Sequence, residues 1–240
     1  MMKHMWYTDG GGLELMRDVF KDEYGVVLFP STPLIAQTYW YTKDPINNVD
    51  DLLKLKVRSA GARALTADNA GISVVTLPGG EIVPAMERGV IDGCEFSDAY
   101  SDGGIGFFDV SNYLYYTERA IGGHLDFAVN GAIWDALPQD LKDAVDRASR
   151  DVADYALTRS TINNINIWKE AEAQGLEIRM LPKDVEDYMH EKNLEFYAEW
   201  SAKDPLVKKI LDSMMEFGEE HAHFEQIAAR GVFQIDDLVR

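Results

Sequence analysis

TLPGGEIVPAMERGVIDGCEF, residues 76–96, is the stretch that decides the fold of this chain. It begins as the end of a strand, turns at Pro-Gly-Gly, and continues as a short helix with Pro84 near its first turn and Gly89 at its end. VIDGCEF then predicts a buried strand that ends in the carboxylate of Glu95. A buried carboxylate is costly, so its presence at the end of a strand needs an explanation.

The residues before this stretch alternate between the patterns of strands and helices. Short apolar runs predict strands, and between them lie helix patterns that are capped near Asn48 or Asp50 and stopped at Gly71; the strand runs are VVLFPS, LKVR and ISVVTL. Strands that alternate with helices are typical of a parallel α/β sheet, which binds ligands at the carboxyl ends of its strands. Arg58 and Glu95 are both predicted to lie at such ends.

The second half of the chain is predicted to be mostly helical. NYLYY and HLDFAVN have the pattern of strands, and residues 137–175 form one long amphipathic helix pattern, long enough to run across two lobes. LEIRMLP predicts one more strand, and the helices that follow it are broken near KDP. The sequence therefore predicts an α/β fold with long C-terminal helices.

Composition excludes several classes of function. The 240 residues carry a formal net charge of −18, which argues against binding to nucleic acids or to anionic membranes. An anionic ligand would need a local positive site in this negative field, so an arginine in a pocket is a strong candidate. The single cysteine, Cys94, excludes an internal disulfide bond. The opening residues, MMKHMWYTDGGG, do not have the apolar central region of a signal peptide.

Several motifs together resemble a known family. They occur in the order of that family and cover nearly the whole chain: GGGLELMRDVF, VDDLLKLKVRSAG, VVTLPGGEIVPAMERGVIDGCEF, NYLYY, VNGAIWDALPQDLKDAV and LEIRMLPKDV. The chain resembles the solute-binding proteins of tripartite ATP-independent periplasmic (TRAP) transporters, in the branch that binds 2-oxo acids and other small organic acids. This resemblance implies a two-lobed clamp of the periplasmic-binding-protein type, without catalysis, that works in the periplasm and docks on the TRAP membrane subunits.

The resemblance also implies how the chain divides. The family begins with further strand–helix units, so we expect the first lobe to be incomplete here. The expected parts are a first-lobe segment (1–28), the second lobe (29–96), a return to the first lobe (97–136), a spanning helix that completes the second lobe (137–200) and a C-terminal helical arm (201–240).

The site residues follow from the same resemblance. Arg58 is expected to hold the carboxylate of the ligand, and a sodium or calcium ion is expected to bridge ligand and protein through Gln37, Glu95, the backbone carbonyl of Phe96, and Asp126. Oxygen donors of this kind suit both ions. The chain departs from the family pattern at Phe96, where tryptophan is usual, and at Asp126, where glutamate is usual. The segment TERAIGG also lacks the usual tryptophan.

Aromatic residues and the C-terminal helices complete the expectations. Tyr100 and one of Tyr115 and Tyr116, with Tyr116 preferred, are predicted to line the ligand pocket, although aromatic residues more often belong to the core. A homodimer through the C-terminal helices is expected to use an apolar face that consists of Leu206, Ile210, Met214 and Phe217.

Two other functions stay open at this point. One is an enzyme that acts on a small carboxylate with Glu95 and Asp126 as an acid/base pair. It lacks a placed nucleophile and a cofactor motif. The other is a truncated assembly protein that binds no ligand and is held together by its helices.

Overall fold

The computed structural model describes residues 2–34, 37–117 and 123–231, and the side chains of residues 4–34, 37–117 and 123–222. The chain divides into two compact units. The sheet unit consists of Thr32–Gly123 and Val152–Glu199, and the terminal unit consists of Met1–Ser31, His124–Asp151 and Trp200–Arg240.

The described residues form the following elements. The strands are β1 (Val26–Pro33), β2 (Trp40–Thr42), β3 (Lys56–Arg58), β4 (Ser73–Val75), β5 (Gly93–Cys94), β6 (Tyr113–Tyr116), β7 (His124–Asn130) and β8 (Glu177–Met180). The helices are α1 (Met2–Thr8), α2 (Gly12–Tyr24), α3 (Val49–Lys54), α4 (Gly61–Asn69), α5 (Gly79–Glu87), α6 (Ala99–Gly104), α7 (Phe107–Val110), α8 (Gly131–Ala136), α9 (Gln139–Ala173), α10 (Lys183–Lys203) and α11 (Pro205–Gly231). None of the described helices is both long and apolar enough to cross a membrane.

The sheet unit is built on a six-stranded sheet with the order β4-β3-β5-β2-β6-β8. Strand β2 runs antiparallel to both of its neighbours, and the remaining pairs are parallel. The sheet is therefore mixed and not purely parallel as predicted. Arg58 and Cys94 are partners in the register of β3 and β5, so the ends of these two strands lie side by side.

Helices cover both faces of this sheet. Side chains alternate between the faces of a strand: Trp40 and Tyr115 belong to one buried cluster, while Tyr41 and Leu114 belong to the other. The first cluster includes residues of α3, α4 and α10, and the second includes residues of α5, α7 and α9. The strands are therefore apolar on both faces, and the functional positions of the sheet are left at its edges and strand ends.

The terminal unit contains a two-stranded sheet of β1 and β7 together with helices from both ends of the described chain. In its small core, the buried side chains pack against an apolar face of α11; these side chains are Trp6, Tyr7 and Leu13. On that face Ile210, Met214 and Phe217 pack against this cluster. Three of the four residues expected to contact a second subunit thus pack, partly buried, against helices of the chain itself.

Other expectations also differ from the structure. Residues 97–123 belong to the sheet unit, because β6 pairs with β2 and β8, so the return to the other unit begins at His124 rather than at residue 97. Pro84 lies inside α5, beyond its first turn. Helix α1 was not predicted at all. The long helix predicted from residue 137 is present as α9, and the boundary between the units falls within it, after Asp151.

Candidate functional site

Arg58 is the last residue of β3, and its side chain is almost completely buried. Its Nε donates to the carbonyl of Leu77 at 3.0 Å and its Nη1 donates to the carbonyl of Glu95 at 2.7 Å. The guanidinium also lies over the ring of Phe96, 5.4 Å from its centre. Its Nη2 has no hydrogen-bond acceptor among the described residues, so this buried cation is fixed in place with a donor nitrogen to spare.

Glu95 follows β5 directly, and only 3% of its surface is exposed. Oε1 accepts hydrogen bonds from Ser59 Oγ at 2.8 Å and from the backbone N–H of Ala60 at 3.2 Å. Ala60 is the N-cap of α4 and makes no side-chain cap of its own. The carboxylate of Glu95, which follows β5, therefore caps the N-terminus of α4, which follows β3. The helix dipole favours a negative charge at this end.

Arg63 is the site residue that sequence reasoning missed. Its Nη1 lies 3.0 Å from Glu95 Oε2 and 3.1 Å from the carbonyl of Thr38, and its Nη2 donates to the carbonyl of Tyr39 at 2.6 Å. Glu95 is thus not a lone buried carboxylate, because an arginine neutralises it. A signal was present: Arg63 lies in the first turn of α4, where a cation opposes the helix dipole unless an anion is near.

Gln37 and Phe96 lie on segments that run side by side. Gln37 forms an isolated bridge with Asp98, and the N–H of Thr38 donates to the carbonyl of Ser97 at 3.1 Å. The ring of Phe96 lies against Gly79, where a Cβ atom would approach it to 2.9 Å. A side chain at position 79 would displace Phe96, which explains the second residue of the Pro-Gly-Gly turn. Three predicted site residues, Gln37, Glu95 and Phe96, are therefore brought together in one unit.

A buried polar network around Asp98 holds the segment that follows Glu95 in place. Asp98 caps α6 by accepting from the N–H of Ser101 at 2.9 Å, and its Oδ2 accepts from Ser160 Oγ at 2.8 Å and Asn164 Nδ2 at 2.9 Å. Burial alone would raise the pKa of Asp98, but these hydrogen bonds lower it below its usual value. Helix α9 is thereby fixed to the loop that follows Glu95.

The predicted pocket aromatics separate into core and surface residues. Tyr115 is fully buried, and its hydroxyl accepts from the N–H of Ile46 at 2.7 Å, so it belongs to the core. Tyr116 is half-buried, and its hydroxyl accepts from Trp168 Nε1 at 2.9 Å. Burial raises the pKa of Tyr116 to about 12, so it stays neutral. The side chain of Tyr100 is half-exposed on α6.

Asp126 lies on β7 in the terminal unit, apart from the unit that holds the other candidates. Tyr7 donates its hydroxyl to Asp126 Oδ2 at 2.6 Å, while Oδ1 is buried and has no hydrogen-bond partner in the described part of the chain. Burial raises the pKa of this carboxyl group above its usual value. Of the segment TERAIGG, residues 118–122 lie outside the described residues.

The chemistry of the strand-end site in the sheet unit follows from its charges. Two guanidiniums, those of Arg58 and Arg63, flank the one carboxylate of Glu95, so their formal charges leave one positive charge. In a chain with a net charge of −18, this is a local positive site of the kind an organic anion needs. Among the described residues, no group of three or more His, Cys, Asp or Glu side chains is placed to hold a metal ion.

Comparison with known proteins gives a consistent result. A family model described as bacterial extracellular solute-binding protein, family 7, matches residues 35–204. A monocarboxylate 2-oxoacid-binding periplasmic protein of Nostoc sp. is 26% identical over 219 residues, which are 91% of this chain and 60% of that protein. The chain thus spans less than two thirds of the length of this curated relative.

Two solved structures are similar over almost the whole chain. A TRAP periplasmic solute-binding protein of Pseudoalteromonas atlantica, solved with sodium and pyruvate, is 30% identical with a TM-score of 0.87, over 97% of this chain and 72% of that one. A TRAP transporter solute-binding protein of Bordetella bronchiseptica is 26% identical with a TM-score of 0.89, over 96% and 69%. It was solved as a mixed-occupancy dimer with calcium and picolinate in one site.

These matches confirm both the α/β fold of the periplasmic-binding-protein type and the resemblance on which it was predicted. The family model covers well over half of the chain and includes the whole strand-end site, from Gln37 to Asn164. The chain therefore belongs to the bacterial extracellular solute-binding proteins of family 7.

Proposed function

We propose that this chain is the solute-binding component of a TRAP transporter and that its ligand is a small 2-oxo or hydroxy monocarboxylate. The observation that carries the proposal is the guanidinium of Arg58 at the end of β3, which is buried, anchored by two carbonyls and has no acceptor for its Nη2 within the described part of the chain. A planar guanidinium matches the geometry of a carboxylate. The 2-oxoacid-binding relative from Nostoc and the pyruvate complex from Pseudoalteromonas support a ligand of this class.

A sodium or calcium ion is part of the proposal. The donors that the sheet unit offers are hard oxygens: the amide of Gln37, the carboxylate of Glu95 and the backbone carbonyl of Phe96. Among the described residues, Glu95 Oε2 accepts a hydrogen bond only from Arg63, which leaves it a lone pair for a cation. Since these donors alone are too few for either ion, the oxygens of the organic acid would have to complete the coordination. The ion would supply charge neutralisation between Glu95 and the ligand.

For Asp126, the role of metal ligand stays a prediction. Its buried Oδ1, which lacks a partner in the described part of the chain, supports it, because a buried carboxylate oxygen is stabilised by a cation.

A periplasmic location, docking on the TRAP membrane subunits and a homodimer are proposed from the relatives. Most of the expected dimer face on α11 is partly buried against α1 and α2 in the single chain, and its contact with a second subunit stays a prediction.

Arg58→Ala tests the function. The variant should lose most of its affinity for pyruvate, since losing one partner of a buried charged contact costs about 2–5 kcal/mol. Arg58→Lys should recover only part of it, because an ammonium cannot make the planar contact. The measurement is titration calorimetry with pyruvate, lactate and succinate in calcium buffer.

Arg88→Ala, which changes an exposed arginine of the same unit, is the matched control and should bind as the wild type does. Melting curves of all variants show whether the site is still folded. Unchanged pyruvate affinity in folded Arg58→Ala would exclude Arg58 as the carboxylate ligand. If the wild type binds none of these acids, the alternative of an assembly protein without a ligand gains support.

The enzyme alternative has less support. A general base must be placed to take a proton from the substrate. Glu95 instead accepts three hydrogen bonds, one of them from an arginine. We therefore propose binding without catalysis, and incubation with a 2-oxo acid followed by NMR should show an unchanged ligand.

A further inference from the structure

Arg63 is held more tightly than a surface arginine. Its guanidinium contacts the carbonyls of Thr38 and Tyr39 and the carboxylate of Glu95, and it lies 5.5 Å from the ring centre of Tyr39 and 5.7 Å from that of Trp40. Three acceptors and two rings fix its position, while about a quarter of its side chain stays exposed. Nothing in this arrangement requires contact with a ligand, so Arg63 would act on the site through the groups that it holds, above all the carboxylate of Glu95.

The contact with Glu95 has a consequence for charge. A cation that binds Glu95 Oε2 would have to share this oxygen with the guanidinium of Arg63 at 3.0 Å. Arg63 therefore disfavours a metal ion that arrives alone. It favours an anion, because with Arg58 it leaves the site with an excess of positive charge. An organic acid that binds first would offset this excess positive charge and so make the binding of the metal ion more favourable.

We propose that Arg63 is a positioning residue that orients the carboxylate of Glu95 and makes metal binding depend on the ligand. It suppresses the affinity for calcium alone and supports the affinity for the organic acid. This inference rests on the proposed function for the identity of the ligand. The prediction for calcium alone does not depend on the proposed function, since the affinity for calcium is measured without any organic acid.

The test compares Arg63→Met with the wild type. Methionine keeps an apolar stem of similar length and removes the charge. Calcium alone should bind the variant about tenfold more tightly, because a like charge close to the ion is gone. Pyruvate should bind about tenfold more weakly at saturating calcium. A residue that only holds the structure together would weaken both affinities in parallel.

Calorimetry with calcium chloride in chelator-treated, sodium-free buffer gives the first affinity, and calorimetry with pyruvate gives the second. Arg63→Lys keeps the charge, so its affinity for calcium alone should stay near that of the wild type. This variant also replaces Arg63→Met if the latter fails to fold: tighter calcium binding by Arg63→Lys would overturn the proposal. Arg88→Met controls for the loss of a positive charge elsewhere in the sheet unit.

The two proposals fail in different ways. If the wild type binds no acid but Arg63→Met still binds calcium more tightly than the wild type does, the ligand assignment is wrong and the role of Arg63 stands. If pyruvate binds and calcium affinity is equal in the wild type and Arg63→Met, or weaker in the variant, the role of Arg63 is wrong and the proposed function stands.

Discussion

Asp102 is a carboxylic acid with no exposed surface. It accepts a hydrogen bond from the N–H of Ser97 at 3.0 Å and one from Thr38 Oγ1 at 3.1 Å. Burial raises its pKa to about 7, with a further contribution from the neighbouring carboxylate of Asp98 and with the hydrogen bond from Thr38 acting against it. In the unfolded chain the same group titrates near pH ~4. The folded protein therefore holds a proton on Asp102 in a pH range where the unfolded chain does not.

This difference predicts how stability depends on pH. The contribution of Asp102 is fully present below about pH 4 and is lost as pH rises through the folded pKa of about 7. Asp102→Asn, which mimics the protonated acid, should remove this loss. Between pH 5 and 7 the wild type should lose on the order of 1 kcal/mol per pH unit relative to the variant. Urea unfolding at several pH values measures it, and parallel curves would contradict the assignment.

At the scale of elements, the connection between α6 and α9 depends on Asn164. Its side chain donates to Asp98 Oδ2 and accepts from the N–H of Tyr100 at 3.1 Å, so one buried amide satisfies a carboxylate and a backbone donor. A helix packed only through apolar contacts could slide along its axis, whereas these directional bonds define one register for α9 against the loop after Glu95.

Asn164→Ala should therefore destabilise the protein by about 1–3 kcal/mol, because Tyr100 N–H and part of the Asp98 carboxylate lose their partners. Asn166→Ala is the matched control, since Asn166 is exposed on the same helix, and it should be close to neutral. Denaturant unfolding of the two variants gives the comparison. Equal stabilities would mean that water replaces the amide without cost.

At the scale of the whole molecule, the net charge of −18 has its own effect. Self-repulsion of this size destabilises a compact state, and salt screens it over a Debye length that falls from about 30 Å at 0.01 M to about 3 Å at 1 M. The melting temperature should rise by several degrees over this range in choline chloride, whose cation is too large for a sodium site. A flat response would show that the acidic residues are well separated or already paired.

The sequence predicted those parts of the molecule that follow from local pattern. Arg58 and Glu95 meet because each ends a strand and β3 and β5 are neighbours. The pairing of Arg63 with Glu95, 32 residues apart, depends on how α4 is oriented over the sheet, and no local pattern contains that information. The same holds for α11: periodicity predicts an apolar face on this helix but cannot tell whether a second subunit or Trp6 covers it.

The capping of α4 by Glu95 restricts how this site can evolve or be redesigned. A substitution at position 95 removes the cap of a helix, so any change of the proposed metal or ligand contact there carries a cost in stability. Position 79 is equally constrained by the ring of Phe96. Tyr100 has a half-exposed side chain and no such duty, apart from a backbone bond that any non-proline residue can make. Tyr100 is only predicted to line the ligand pocket; if that prediction holds, it is the position where binding can change while the fold is left intact.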